Sequence, residues 1–158
     1  MLGRSDLQQA FGASVEGLLV AMQQASKALQ RRSDSKSLSI VNISSTTSHI
    51  AMAELTAYSA AKAAIRQLSR SAAVELAPHN IRVNTVVPHT TDTEGVQAFM
   101  ASLSEEYIAE VAASAMPKLI PRLARPEEIA AGIAFLASSD ASFITGSELI
   151  LDGGASIT

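Results

Sequence analysis

The 158-residue sequence has no cysteine. A disulfide scaffold, a thiolate metal site and a cysteine nucleophile are excluded together. Histidine is scarce, with only His49, His79 and His89 in scattered positions, so no metal site is expected. Long hydrophobic runs are missing too: none approaches the roughly 20 apolar residues of a membrane-spanning helix. Met1–Asp6 shows no basic-then-apolar signal pattern. Neither sign of charge dominates, since twelve basic and fifteen acidic residues leave a net −3. Strong electrostatic attraction to nucleic acid or an anionic membrane is therefore not expected. What is present is apolar material, 47% of the residues, in a chain long enough to bury one core. The expectation is a single soluble, cytoplasmic domain spanning residues 1–158.

The pattern alternates between helical and strand periods. Ser5-Asp6-Leu7-Gln8 fits a capping box, and Leu7, Phe11, Val15, Leu18, Met22, Ala25 and Leu29 recur every three or four residues. Residues 5–31 therefore read as one amphipathic helix. Leu38-Ser39-Ile40-Val41-Asn42-Ile43 is short and rich in β-branched residues, which suits a strand buried on both faces. Ala57 to Ala77 is alanine-rich and helical until Pro78-His79-Asn80 stops it. Ile81 to Val87 is a second strand ended by Pro88. Residues 89–103 are ambiguous, and Ser104 to Ala115 reads as helix. Pro126, with Glu127 and Glu128 in the first turn, opens a helix to about Ala137. Ser147 to Leu151 is a last strand, closed by Asp152-Gly153-Gly154. This order describes an α/β protein with a parallel sheet. Three strands are few for a sheet that needs cover on both faces.

Two groups of residues suggest chemistry. Tyr58 and Lys62 stand four apart near the start of a helix and so share a face. An ammonium beside a phenol favours the phenolate, which suits tyrosine to acid or base work. Taken alone, such a pair is usually a packed ring beside a solvated stem. Ser44 and Ser45 follow the first strand directly, where open α/β sheets place ligands, and their hydroxyls could orient a carbonyl oxygen. Taken alone, they more often mark an ordinary polar turn. His49 and His79 read as surface residues, and Arg66 with Arg70 as a solvated or interface stripe.

Order and spacing add more. Ile40-Val41-Asn42-Ile43-Ser44-Ser45 is followed, thirteen positions after Ser45, by Tyr58-Ser59-Ala60-Ala61-Lys62-Ala63-Ala64. Glu75-Leu76-Ala77-Pro78-His79-Asn80-Ile81-Arg82-Val83-Asn84 and Val87-Pro88 come next. Arg125-Pro126-Glu127-Glu128-Ile129-Ala130, Phe135-Leu136-Ala137-Ser138, Ile144-Thr145-Gly146 and Leu151-Asp152-Gly153-Gly154 complete the set. From about residue 5 to about 156, the ordered set strongly resembles the C-terminal, catalytic half of the short-chain dehydrogenase/reductase family. The resemblance implies a Rossmann-type three-layer parallel sheet and hydride transfer between NAD or NADP and an alcohol or carbonyl carbon. By that resemblance Tyr58 would be the general acid/base, and Lys62 would assist it and bond the nicotinamide ribose. Ser45 would hold the substrate carbonyl. Pro88, Thr91 and Thr93 would lie against the cofactor, and residues 92–120 would form a mobile substrate lid. The helices at 5–31 and 57–77 would be dimer faces, and the last strand with its Gly-Gly tail a second interface, so a homo-oligomer is implied.

Three departures qualify the match. No G-x-G-x-x-G can be drawn from Gly3, Gly12, Gly17, Gly95, Gly132, Gly146, Gly153 and Gly154, so the phosphate-cradling turn is missing. At roughly 30 residues per βαβ unit, about three such units would precede this sequence in the family, which makes the expected fold a truncated one. The strand at 38–43 would then be a bare apolar edge. Ser14 stands where a catalytic asparagine is usual and could still bond a relay water. His89 replaces the glycine that normally follows the proline. Its side chain could crowd the nicotinamide or change the loop's backbone angles, but the favoured expectation is that the imidazole faces solvent. An oxidoreductase acting on an alcohol or carbonyl substrate is the leading expectation. A truncated, non-catalytic protein that associates with itself or a full-length relative is the alternative. A flavodoxin-like or other α/β binding module leaves the ordered motifs unexplained.

Overall fold

The computed structural model describes residues 3–31, 38–101, 116–117 and 119–157. The helix expected at 104–115, with Leu103, lies outside the described residues, as do parts of the segment 92–120.

Three parallel strands form the sheet in the order β1-β2-β3. They are β1 (Leu38–Ile43), β2 (Ile81–Pro88) and β3 (Glu148–Leu151). Leu38 pairs with Ile81 and Ile43 with Val86 in one register, and Thr85 with Glu148 and Pro88 with Leu151 in the other. Side chains alternate between faces along each strand, and the core follows that alternation. On one face Leu38, Ile40, Ile81 and Val83 pack against Leu29, Ala72, Ala73 and Leu76. On the other, Val41, Val86, Leu149 and Leu151 pack against Ile129, Ile133 and Leu136. The first set of helical residues belongs to α2 (Gly17–Gln30) and α3 (Thr56–Leu76), the second to α5 (Pro126–Ala137). The result is a three-layer α/β arrangement of Rossmann type. β2 is central and buried along nearly its whole length, whereas β1 is only half-buried apart from Asn42, and Ile43 is 38% exposed. The expectation that β1 is buried on both faces is thus corrected. It is an edge strand among the described residues, and its end is open.

The N-terminal helix is not one regular element. α1 (Arg4–Phe11) and α2 are joined by a π turn at Gly12–Glu16, in which the Gly17 N–H reaches back to the Gly12 carbonyl. The expected capping box at Ser5 is corrected as well. Gly3 caps the helix, and its N–H donates to Asp6 Oδ2 at 3.0 Å. α3 begins one residue earlier than expected. It ends in a short 3-10 turn at Ala77–His79, where Asn80 turns the chain in a left-handed conformation. The ambiguous stretch after β2 contains α4 (Glu94–Ala101). No helix among the described residues is long and apolar enough to cross a membrane, and none of their acidic and histidine side chains cluster as metal ligands.

Candidate active site

Parallel strands deliver their C-terminal ends to one rim of the sheet. Ser44–Thr47 leave β1 there and Pro88–Thr91 leave β2, and these two loops line a cleft of about 630 Å³. Ser45 caps a 3-10 turn at Thr46–Ser48, and its Oγ accepts from the Thr47 N–H at 3.3 Å and the Thr47 hydroxyl at 3.2 Å. Ser44 Oγ donates to the Lys62 carbonyl at 2.8 Å, which ties this loop to the second turn of α3.

Tyr58 stands on the first turn of α3, is 41% exposed and borders the same cleft as Ser45. Lys62, one turn on, points its Nζ at the ring from 5.5 Å and donates to the Ile43 carbonyl at 3.3 Å. Burial pushes the lysine pKa down, because the cation has left part of its water behind. The structure therefore brings Ser45, Tyr58 and Pro88 to one cleft, with Lys62 beside Tyr58. Thr91 lines it as well and donates through its hydroxyl to the His89 carbonyl at 3.0 Å. Thr93 stands apart from the cleft, exposed, where its Oγ1 accepts from the Val96 N–H at 3.3 Å at the start of α4. Ser14 is half-buried in the π turn and lines neither the cleft nor the smaller groove between α1 and the start of α3.

His89 overturns an expectation. Its side chain is not in solvent: it is 7% exposed and lines the cleft. Nδ1 lies 2.7 Å from Thr46 Oγ1, and its main-chain N–H donates to the Leu151 carbonyl at 3.1 Å. The reason is register. Pro88 pairs with Leu151, so the next residue is fixed at the sheet edge while its ring fills the gap between two loops. Arg66 is likewise not a solvated stripe residue. Its Nε donates to Glu148 Oε2 at 2.8 Å and its Nη1 to the Ser48 carbonyl at 2.7 Å. His49 joins the same carboxylate at 3.0 Å, so it too is engaged at the surface.

Glycines test whether a dinucleotide would fit. Where an added Cβ would collide, at Gly132, Gly153 and Gly154, it meets Leu151, Pro117 and Leu119 of this chain. Gly12 and Gly95 have open space instead. None of the described glycines forms a cradle held open for a pyrophosphate. The donor set of Tyr58, Lys62 and the Pro88–Thr91 loop fits the nicotinamide-ribose end only.

A family model described as enoyl-(acyl carrier protein) reductase matches residues 2–156. The chain's relatives include several dehydrogenases at 35–46% identity. The chain belongs to the short-chain dehydrogenase/reductase family. It is 46% identical to a cis-4-hydroxycyclohexanecarboxylate dehydrogenase of Sinomonas cyclohexanicum over 80% of its own length and 48% of the relative's. It is 35% identical to the 2,3-dihydro-2,3-dihydroxybenzoate dehydrogenase of Escherichia coli over 99% of its length and 63% of the relative's. A short-chain type dehydrogenase/reductase from Mycobacterium marinum superimposes with a TM-score of 0.85 at 31% identity, covering 99% of this chain and 59% of that one. The acetoin dehydrogenase of Enterobacter cloacae does so with a TM-score of 0.78 at 32% identity, covering 98% and 57%. The chain thus spans about half to two thirds of the length of these family members.

Proposed function

We propose that this chain carries the substrate and proton-transfer site of an NAD(P)-dependent short-chain dehydrogenase/reductase that interconverts a secondary alcohol and its ketone. The observation that carries the reading is Lys62 Nζ held 5.5 Å from the Tyr58 ring, on a cleft that Tyr58 shares with Ser45. When bound, the nicotinamide supplies or takes up the hydride at the substrate carbon. The residues of the chain manage the oxygen. Ser45 Oγ donates to the carbonyl oxygen and fixes its direction. In reduction Tyr58 Oη gives its proton to the oxygen as negative charge builds there, and in oxidation it takes that proton back. The Lys62 ammonium stabilises the negative charge left on the phenolic oxygen. Lys62 and Tyr58 would also bond the ribose, with Pro88, Thr91 and Thr93 following the cofactor. The pyrophosphate cradle would be supplied outside the described residues. Ser14, inside a π turn of the kind that often marks functional sites, would hold a water that returns a proton to Tyr58 after reduction and carries one outward after oxidation. Of the segment 92–120, Val96, Met100 and Met116 line the cleft and would border the substrate.

The relatives' names, which include a cyclic hydroxyacid dehydrogenase and an acetoin dehydrogenase, support a small alcohol or ketone as substrate. Exposed Leu7, Leu19, Val20 and Val74 on α1, α2 and α3 support a homo-oligomer through these helices. The same apolar surface, with the open edge of β1, favours the second reading, a non-catalytic partner of itself or of a longer relative.

Fluorescence titration with NADH and NADPH, followed by turnover of secondary alcohols, separates the two. The catalytic reading expects saturable binding, and Tyr58→Phe lowering kcat by about 10²–10⁴-fold. Lys62→Met should lower kcat and weaken cofactor binding together. Equal rates for Tyr58→Phe and the parent would overturn the mechanism. No binding at millimolar cofactor would favour the second reading.

A further inference from the structure

Two cavities meet at His89. The cleft of about 630 Å³ that holds Ser45 and Tyr58 has His89 and Thr90 on its wall. A separate pocket of about 270 Å³ has the same two residues on its own wall. The imidazole is bonded to the facing loop, and the backbone that carries it is bonded to β3. Thr46, itself 1% exposed, bonds Nδ1 at 2.7 Å, and the Leu151 carbonyl holds the backbone at 3.1 Å. A buried ring tied to the facing loop through Thr46, on a backbone tied to β3, is a fixed part of the wall between the two cavities.

We propose that the His89 side chain is the partition between the two cavities and sets the longest substrate that the cleft accepts. This proposal rests on reading the cleft as the substrate site. The lining indicates the substrate class. Met52, Leu55, Val96 and Met100 face the cleft, so the body of the substrate is apolar, and its reacting oxygen turns toward Ser45 and Tyr58. Beyond the partition, the smaller pocket has an apolar wall of Ile129, Ile150 and Leu151 facing a charged one of Arg122, Glu128 and Asp152, and its apolar wall would take a further short stretch of alkyl chain once opened. The native substrate is therefore a compact, uncharged secondary alcohol or its ketone, and the ring of His89 is the end stop.

The test uses the whole chain and the alcohols from 2-butanol to 2-decanol with their ketones. Turnover is followed with NAD(P), and ketone binding by saturation-transfer NMR, which needs no turnover. The parent should show a cut-off in chain length. His89→Ala should move the cut-off to longer chains, raising kcat/KM for the first excluded alcohol by about ten-fold or more. Binding of the matching ketone should improve with it. His89→Leu keeps the bulk without the hydrogen bond and should retain the parental cut-off. If His89→Ala does not fold, as judged by its melting transition, Thr46→Val releases the ring and should shift the cut-off in the same direction by less. An unchanged cut-off in whichever of these two variants folds, a cut-off lost in His89→Leu as fully as in His89→Ala, or no cut-off in the parent overturns the partition. Failure of the catalytic reading looks different: Tyr58→Phe would then keep its turnover, while the binding cut-off would still report on His89.

Discussion

At Ser59, one residue beyond the tyrosine of the site, the Oγ is buried without a hydrogen-bond partner among the described residues. A buried, unsatisfied hydroxyl destabilises, and alanine is the better helix former. Ser59→Ala should therefore raise stability by about 1 kcal/mol, seen as a higher Tm in calorimetry. A lower Tm would show that the hydroxyl is engaged in the assembled protein. Its neighbours Tyr58 and Lys62 were legible in the sequence because a four-residue spacing on a helix places two side chains together whatever surrounds them. The placement of His89 was not legible. Its burial depends on Thr46 and Leu151, which are 43 and 62 positions away in the chain and reach it only through the sheet. Arg66 escaped for the same reason, since its partner Glu148 belongs to a strand 82 positions on.

Elements hold one another at their ends. Arg82, 6% exposed on β2, donates to the carbonyls of Leu136, Ser138 and Ile144, where α5 finishes and the next turn begins. A cation there satisfies orphan carbonyls and complements the helix dipole. Arg82→Met should cost about 2–4 kcal/mol, measured by urea unfolding, and a loss below 0.5 kcal/mol, about the scatter of surface substitutions, would contradict this role. At the other end of α5, Glu128 accepts from both guanidinium nitrogens of Arg122 at 2.7 Å and from the Arg125 N–H at 2.8 Å. The Arg122 hydrogen bonds and then the Arg125 backbone hold its pKa at about 2, below the ordinary 4.5. A depressed carboxylate contributes stability that is present above 4.5 and lost as pH falls toward 2. Glu128→Gln should flatten that part of the acid-unfolding curve, and an unchanged acid limb would rule the contribution out. β1, β2, α3 and α5 were legible nearly to the residue, because each has its own apolar period and a proline marks the end of β2, the stop after α3 and the start of α5. The π turn at Gly12–Glu16 was not. Leu7, Phe11, Val15, Leu18 and Met22 keep a helical spacing straight through it, and only the flanking Gly12 and Gly17 hinted at a break.

For the whole molecule, the strands advance one way across the sheet while α3 covers one face and α5 the other. The two crossovers therefore have opposite hands, so one departs from the usual right-handed rule. The outer edge of β1 and the exposed apolar residues of α2 and α3, Val74 at 76% exposure among them, predict association. Light scattering should give a mass above that of one chain, and a monodisperse monomer would contradict it. The sequence by itself determined the family, the identity of most elements and the pairing of Tyr58 with Lys62 on one helix face, because these depend on local period and on short fixed spacings. Only the tertiary structure decided that β1 is half-buried rather than covered on both faces, that Arg82 caps a helix far along the chain, and that His89 turns inward where two cavities meet. Each of those depends on which strands lie side by side, and strand pairing joins residues whose distance along the chain carries no period to read.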